Sequence, residues 1–170
     1  SDAFGDNMNS NRIATYFPRV KITDGSTQFV APSSVAAIGA LAFNDSNSPG
    51  PWFAPAGFNR GGLSTLGGPS SGLSVTTTKV NLSKANRDEL YEEHINPIAR
   101  FPAVGEIVIF GQKTMSRGPI ASTSALSRVN VRRLMIFLHH RIKNIADTIL
   151  FEQSVEATFN SFSARVQRVL

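Results

Sequence analysis

The sequence predicts an α+β domain, a mixed β-sheet packed by α-helices, and three observations carry that expectation. Glu106-Ile107-Val108-Ile109-Phe110 is a continuous apolar run between Gly105 and Gly111, the pattern of a central strand buried on both faces. From Asn130 to Leu150, Val131, Leu134, Met135, Leu138, Ile142, Ile145, Ala146 and Ile149 recur at three- and four-residue steps, the spacing of one long amphipathic helix. Short alternating and Thr-rich stretches earlier in the chain supply further strands. The long helix would be a rod of about 30 Å, and its stripe is expected to cover one face of the sheet.

Composition bounds the class. At 170 residues, 41% hydrophobic and 17% charged, the chain has the material for one globular domain. Its net charge of +5 and pI near 10.1 suit an acidic partner, but the charge is dispersed, with no run resembling a nucleic-acid-binding arm. Cysteine is absent, so disulfide and thiolate chemistry are excluded. No apolar stretch has the length of a bilayer crossing and no signal peptide opens the chain. The chain does not begin with Met and stops inside a periodic segment at Val169-Leu170, so a piece of a longer protein is expected.

In order, residues 1–16 read as a polar linker or loop from an upstream domain, and 17–170 as one core domain. Tyr16 to Ile22 alternates as a strand ending at Asp24-Gly25, and Gln28-Phe29-Val30 is a short return. Pro32-Ser33-Ser34 starts an alanine-rich helix ending near Asn44, its small residues suited to close packing. A glycine- and proline-rich connection then runs from Ser46 to Gly72. Within it, Trp52, Phe53, Pro55, Gly57, Asn59 and Arg60 belong to an aromatic loop whose two prolines and apolar load predict a held structure. Val75 to Val80 is a Thr-rich strand. Ser83 caps a helix with Asp88 and Glu89 near its start, stopping before Pro97. Met115 to Leu126 is loop. After the long helix, Ser154 caps a last helix bearing Val155, Phe159, Phe162, Val166 and Val169, expected to run antiparallel to it.

Catalytic, metal and nucleotide chemistry find no residue set. Gly57-Phe58-Asn59-Arg60-Gly61-Gly62 is distant from Gly111-Gln112-Lys113-Thr114, which lacks the upstream glycine a phosphate loop requires. His139 and His140 are adjacent and point about 100° apart on a helix, so they cannot share one metal, and Asp147 completes no ligand set. Glu92-Glu93-His94 lies at a helix end, and no serine sits in a nucleophile elbow.

Five stretches together resemble the contractile phage tail sheath proteins. Pro51-Trp52-Phe53-Ala54-Pro55-Ala56-Gly57-Phe58-Asn59-Arg60-Gly61 is similar to the family's Trp-x-Ala-Pro-Ala-Gly-x-Asn-Arg-Gly loop, and Val30 to Ala37 to its Pro-Pro-Ser-x-Val-Ala helix start. Leu90 to Ile98 resembles Leu-Tyr-x-x-x-Ile-Asn-Pro-Ile. Ile109 to Thr114 resembles a strand ending in Gly-x-Lys/Arg-Thr, and Val129 to Leu134 resembles Ile-Asn-Val-Arg-Arg-Leu. Phe151-Glu152 is similar to the Phe-Glu that ends the same helix. The resemblance covers about Phe17 to Phe162.

It implies a cofactor-free structural subunit of hexameric rings, stacked helically around a tail tube. Such a sheath shortens and widens to drive the tube through the host envelope for genome ejection. Implied partners are other copies, the tube protein, and baseplate and tail terminator proteins, with no nucleic acid or membrane, in a virion tail assembled in host cytoplasm. The family usually continues past the last helix into strands and a C-terminal arm, whereas this chain stops at Leu170. Arg132, Arg133, Ile136, Phe137, Arg141 and Lys143, on the helix face opposite the stripe, form a candidate partner interface facing an acidic tube. The same motifs suit a related non-phage contractile injection system, and the basic helix leaves a nucleic-acid-binding module as the less favoured alternative.

Overall fold

A computed structural model describes residues 9–63, 74–117 and 124–169. The start of the expected linker (1–8), the remainder of the glycine-rich connection (64–73), part of the loop before the long helix (118–123) and Leu170 lie outside the described residues. The chain divides into two compact units, meeting at Arg132 and Arg133, and the mixed strands and helices make the fold class α+β.

The first unit is built on six strands in two three-stranded sheets. One has the order β1 (Thr15–Phe17), β5 (Ile95–Phe101), β6 (Glu106–Ile109), and the other β3 (Thr27–Ala31), β2 (Val20–Asp24), β4 (Val75–Thr78). β1 runs parallel to β5, and the remaining pairings are antiparallel. The segment 61–63 stitches the sheets together. Leu63 N donates to Ile107 O (2.8 Å) and Ile109 N to Gly61 O (2.8 Å), while Val75 N donates to Leu63 O (3.4 Å). β6 is therefore paired on both sides, and Glu106 to Ile109 are all buried, as the apolar run predicts. Phe110 departs from that expectation: it is 44% exposed, because the strand ends at Ile109.

The expected single strand from Tyr16 to Ile22 is two strands in different sheets. Pro18 stands between them, after a cis Phe17–Pro18 peptide, and supplies no N–H to a ladder. β2 then turns at Gly25, whose φ of 59° suits glycine, into a β3 longer than the expected return. The helix expected to stop before Pro97 stops earlier. α2 (Lys84–Glu92) begins in a capping box between Ser83 and Asn86, and His94 leaves it in left-handed backbone (φ 61°). Pro97 sits inside β5, a strand absent from the sequence reading, where its carbonyl accepts from Phe110 N at 2.8 Å.

The element that covers the buried sheet within the first unit is an alanine-rich helix. α1 (Ser33–Asn47) presents Ala36, Ala37 and Ala40 to Val20, Ile22, Leu63, Val75, Ile98, Ile107 and Ile109 in one core. Methyl-sized side chains let helix and sheet backbones approach closely, so the alanine face closes the core that the larger stripe was expected to close. α1 follows Pro32 with no side-chain cap and extends three residues past Asn44.

α3 (Val129–Asp147) follows a 3-10 turn at Ala125–Ser127, and Val129 is its buried residue. Past Arg132 it belongs to the second unit. Its expected core stripe is half-buried, and Met135 is 47% exposed. The chain leaves α-helix at Asp147, three residues before the expected end. α4 (Glu156–Gln167) starts after Val155, with no side-chain cap, so Ser154 does not play the expected role. Arg165 Nη1 reaches Thr148 Oγ1 at 3.2 Å, which ties α4 to the C-terminal end of α3. No described helix is long and apolar enough to cross a membrane.

Candidate functional site

The motif segments, separated in sequence, meet in the first unit, and three asparagines join them, Asn44 and Asn96 buried and Asn130 half-buried. Asn96 on β5 is fully buried. Its Nδ2 donates to Thr15 O (3.0 Å) and Lys113 O (2.8 Å), and its Oδ1 accepts from Lys113 N (2.6 Å). One amide thereby fastens β1, β5 and the segment that follows β6. Asn44 near the end of α1, also buried, donates to Phe53 O (3.1 Å), and Asn130 in the first turn of α3 donates to Trp52 O (3.3 Å). Two elements thus hold consecutive carbonyls of the aromatic loop. None of these three asparagines was singled out as a site residue, although Asn96 and Asn130 lie inside quoted motif segments.

The aromatic loop is fixed along its length. Gly57 N donates to Ile109 O and Gly61 N to Gly57 O, both at 2.8 Å. Gly57 has a φ of 79°, a conformation that glycine adopts without cost. Gly61 has no room for a side chain, since a Cβ there would lie 2.8 Å from the Ala56 Cα, the Gly57 N and the Ile109 O. Trp52 and Phe53 stack at 6.3 Å, and the Arg60 guanidinium lies 4.7 Å from the Phe53 ring, a cation–π contact. Pro55 is buried, whereas Asn59 is exposed. Trp52 is half-buried, so Trp52→Ala is expected to cost about 2–3 kcal/mol, less than the roughly 3–5 kcal/mol of a fully buried ring. Urea unfolding of the variant measures it.

The Gly-Gln-Lys-Thr stretch does structural work in place of phosphate binding. Lys113 Nζ donates to Tyr91 O (2.7 Å) and lies 3.9 Å from the Tyr91 ring, so it satisfies a carbonyl at the end of α2, where a cation is favoured. Thr114 Oγ1 donates to Leu126 O (3.0 Å), and its carbonyl accepts from His94 Nδ1 (2.8 Å), which places the imidazole proton on Nδ1. Val129 N donates to Gln112 O (2.8 Å). Burial lowers the Lys113 pKa below its ordinary value; Glu92 opposes the shift and Arg128 adds to it. A depressed lysine binds fewer protons folded than unfolded, so stability rises with pH between the folded value and the ordinary 10.5. Lys113→Met is expected to remove that rise, measured as unfolding free energy against pH on the alkaline side.

The six residues of the candidate partner face are not equally available. Arg141 and Lys143 are exposed and Ile136 is 54% exposed, whereas Arg132, Arg133 and Phe137 are half-buried. The Arg141 guanidinium stands 5.2 Å from the Phe137 ring. His139 and His140 are exposed, and no three His, Asp or Glu side chains converge as metal ligands among the described residues.

Over 132 residues, 78% of its length, this chain is 37% identical to the tail sheath protein of Vibrio phage KVP40. This chain is a relative of the phage tail sheath proteins. The tail sheath protein of Enterobacteria phage T4 is 33% identical over 135 residues. The chain spans 17% and 18% of the lengths of these two sheath proteins. No family model matches the chain. Among solved structures, the sheath fold recurs in the helical sheath of the anti-feeding prophage in its contracted state, with a TM-score of 0.74, 21% identity and coverage of 99% of this chain and 42% of that one. It recurs in the sheath complex of an extracellular contractile injection system in its contracted state, with a TM-score of 0.77, 23% identity and coverage of 96% and 40%. A chain of the anti-feeding prophage baseplate matches with a TM-score of 0.74 and 22% identity, over 95% of this chain and 39% of that one.

Proposed function

We propose that this chain is a structural, non-catalytic part of a contractile tail sheath subunit. Copies would polymerise as stacked hexameric rings around a tail tube, ending at baseplate and tail terminator proteins in a virion tail assembled in host cytoplasm. Contraction of that sheath would drive the tube through the host envelope. The observation that carries the reading is the identity of 37% and 33% to two phage sheath proteins over 78% and 79% of this chain. A subunit held at the asparagine junction as a stiff block suits a machine whose energy lies in the arrangement of many rigid copies. The similarity of fold to contracted injection-system sheaths supports a second reading, a non-phage contractile system, but the higher identities are to phage proteins.

The face carrying Arg132, Arg133, Ile136, Phe137, Arg141 and Lys143 would meet an acidic tube or an adjacent part of the sheath. Exposure gives most of the contact to Ile136, Arg141 and Lys143. Reversal of both charges, Arg141→Glu with Lys143→Glu in the full-length protein, is expected to shorten or abolish sheaths assembled on purified tubes at low salt, and less so as salt screens the new repulsion. Sheaths of normal length and salt resistance would refute this face as the contact.

A further inference from the structure

Beside α2 lies a cavity of about 400 Å³ lined by Ala54, Ala56, Arg87, Tyr91, Pro97 and Phe110, among others, within the size range of specific binding pockets. Phe110 of that lining belongs to a cluster of three aromatic rings. Phe58 lies 5.1 Å from Phe101 and 6.1 Å from Phe110, and Phe101 lies 4.9 Å from Phe110. Phe58 and Phe110 are exposed. The Arg87 guanidinium stands 4.8 Å from the Phe101 ring, its Nη1 bonded to Leu82 O, and no carboxylate pairs with it among the described residues.

The second unit carries a feature of the opposite character. Between α3 and α4, Leu150 is 65% exposed and Phe151 102% exposed. Glu152, next along the chain, is exposed and pairs with no base among the described residues. Two adjacent large apolar side chains standing this far into solvent offer contact area to a partner.

We propose that the aromatic hollow receives the Phe151-Glu152 corner of a second copy of this chain, a contact between neighbouring subunits that rests on the sheath reading above. Phe151 supplies a ring to a cluster already made of rings, where edge-to-face contacts are available. Glu152 supplies the carboxylate that Arg87 lacks. Asp88 also lines the cavity and repels a carboxylate everywhere except beside Arg87, which fixes the orientation of the corner. The chain carries a net charge of +5, so copies repel in general. A local pair of opposite charges on an aromatic anchor therefore sets which surfaces meet.

The test uses the full-length protein assembled into sheaths. Phe151→Ala, Arg87→Glu and Glu152→Arg are each expected to raise the concentration needed for assembly about tenfold or more, and Arg87→Glu with Glu152→Arg together to restore it. A second arm places cysteines at Ala54→Cys and Gln153→Cys, these 170 residues having none of their own, with any cysteine elsewhere in the full-length protein replaced by serine. Oxidised sheaths should yield a ladder of covalently linked subunits. A bond formed only within one chain, or none in sheaths that assemble normally, overturns the contact and leaves the sheath reading standing. Failure of the charge exchange to restore assembly also overturns the contact. A wild-type protein that forms no rings at all overturns the sheath reading, and this contact with it.

Discussion

Replacing Asn96 by Leu is expected to lower the unfolding free energy by about 3–5 kcal/mol. The amide is fully buried and answers two carbonyls and one N–H, those of Thr15 and Lys113. Leucine has nearly the same volume, so the change creates little cavity; what it leaves is three backbone groups facing each other without a partner. A buried polar group deprived of its partner loses roughly 1–3 kcal/mol, and water cannot easily repair a site between two strands. Gly111 sits against the same amide, its would-be Cβ 2.9 Å from Asn96 Oδ1, so there is no slack to absorb the substitution. Urea unfolding measures the loss; a variant within about 1 kcal/mol of wild type would mean that the amide does not hold these segments.

Leu63→Ala is expected to cost about 2–5 kcal/mol. Leu63 is fully buried in the core cluster, on the short segment whose backbone joins β6 to β4. Truncation empties the point where the two sheets are stitched, and the neighbours Ile107 and Val75 are fixed by their own ladders and cannot collapse into the space. Hydrogen exchange adds a sharper readout. The amides of Val75 and Ile109 should lose protection together in the variant, because both depend on the 61–63 segment.

Much of the fold was legible because burial leaves a period in the sequence. The unbroken run Glu106 to Phe110 read as a central strand buried on both faces, and Glu106 to Ile109 are buried while Phe110 is exposed. Ser83 read as a cap because its hydroxyl chemistry is local, and Asn86 completes the box. The failures have physical causes as particular. β5 was missed because Pro97 argues against a strand, and its tolerance depends on neighbours that only the folded chain supplies. The sheet's cover was assigned to the stripe with the larger side chains, whereas the backbone spacing of this sheet is filled by the alanines of α1.

The candidate site was legible only in part. Trp52, Phe53, Arg60 and Gly57 were found as a held loop through their aromatic and glycine chemistry. The groups that do the holding, Asn44, Asn96 and Asn130, look in a sequence like any surface asparagine; what makes them decisive is the carbonyls they face, together with burial at Asn44 and Asn96, and both are properties of the assembled fold. The basic face of α3 was read from periodicity as one surface, yet Arg132 and Arg133 are half-buried while Arg141 and Lys143 are exposed. A helical wheel assigns faces but not what stands against each turn.

Electron cryomicroscopy of particles carrying the full-length protein tests the sheath assignment most directly. A sheath subunit requires density for this domain repeated in stacked rings of six around a central tube, with the asparagine junction intact in every copy. The same domain as a single copy in the particle, or absent from the wall around the tube, would contradict it.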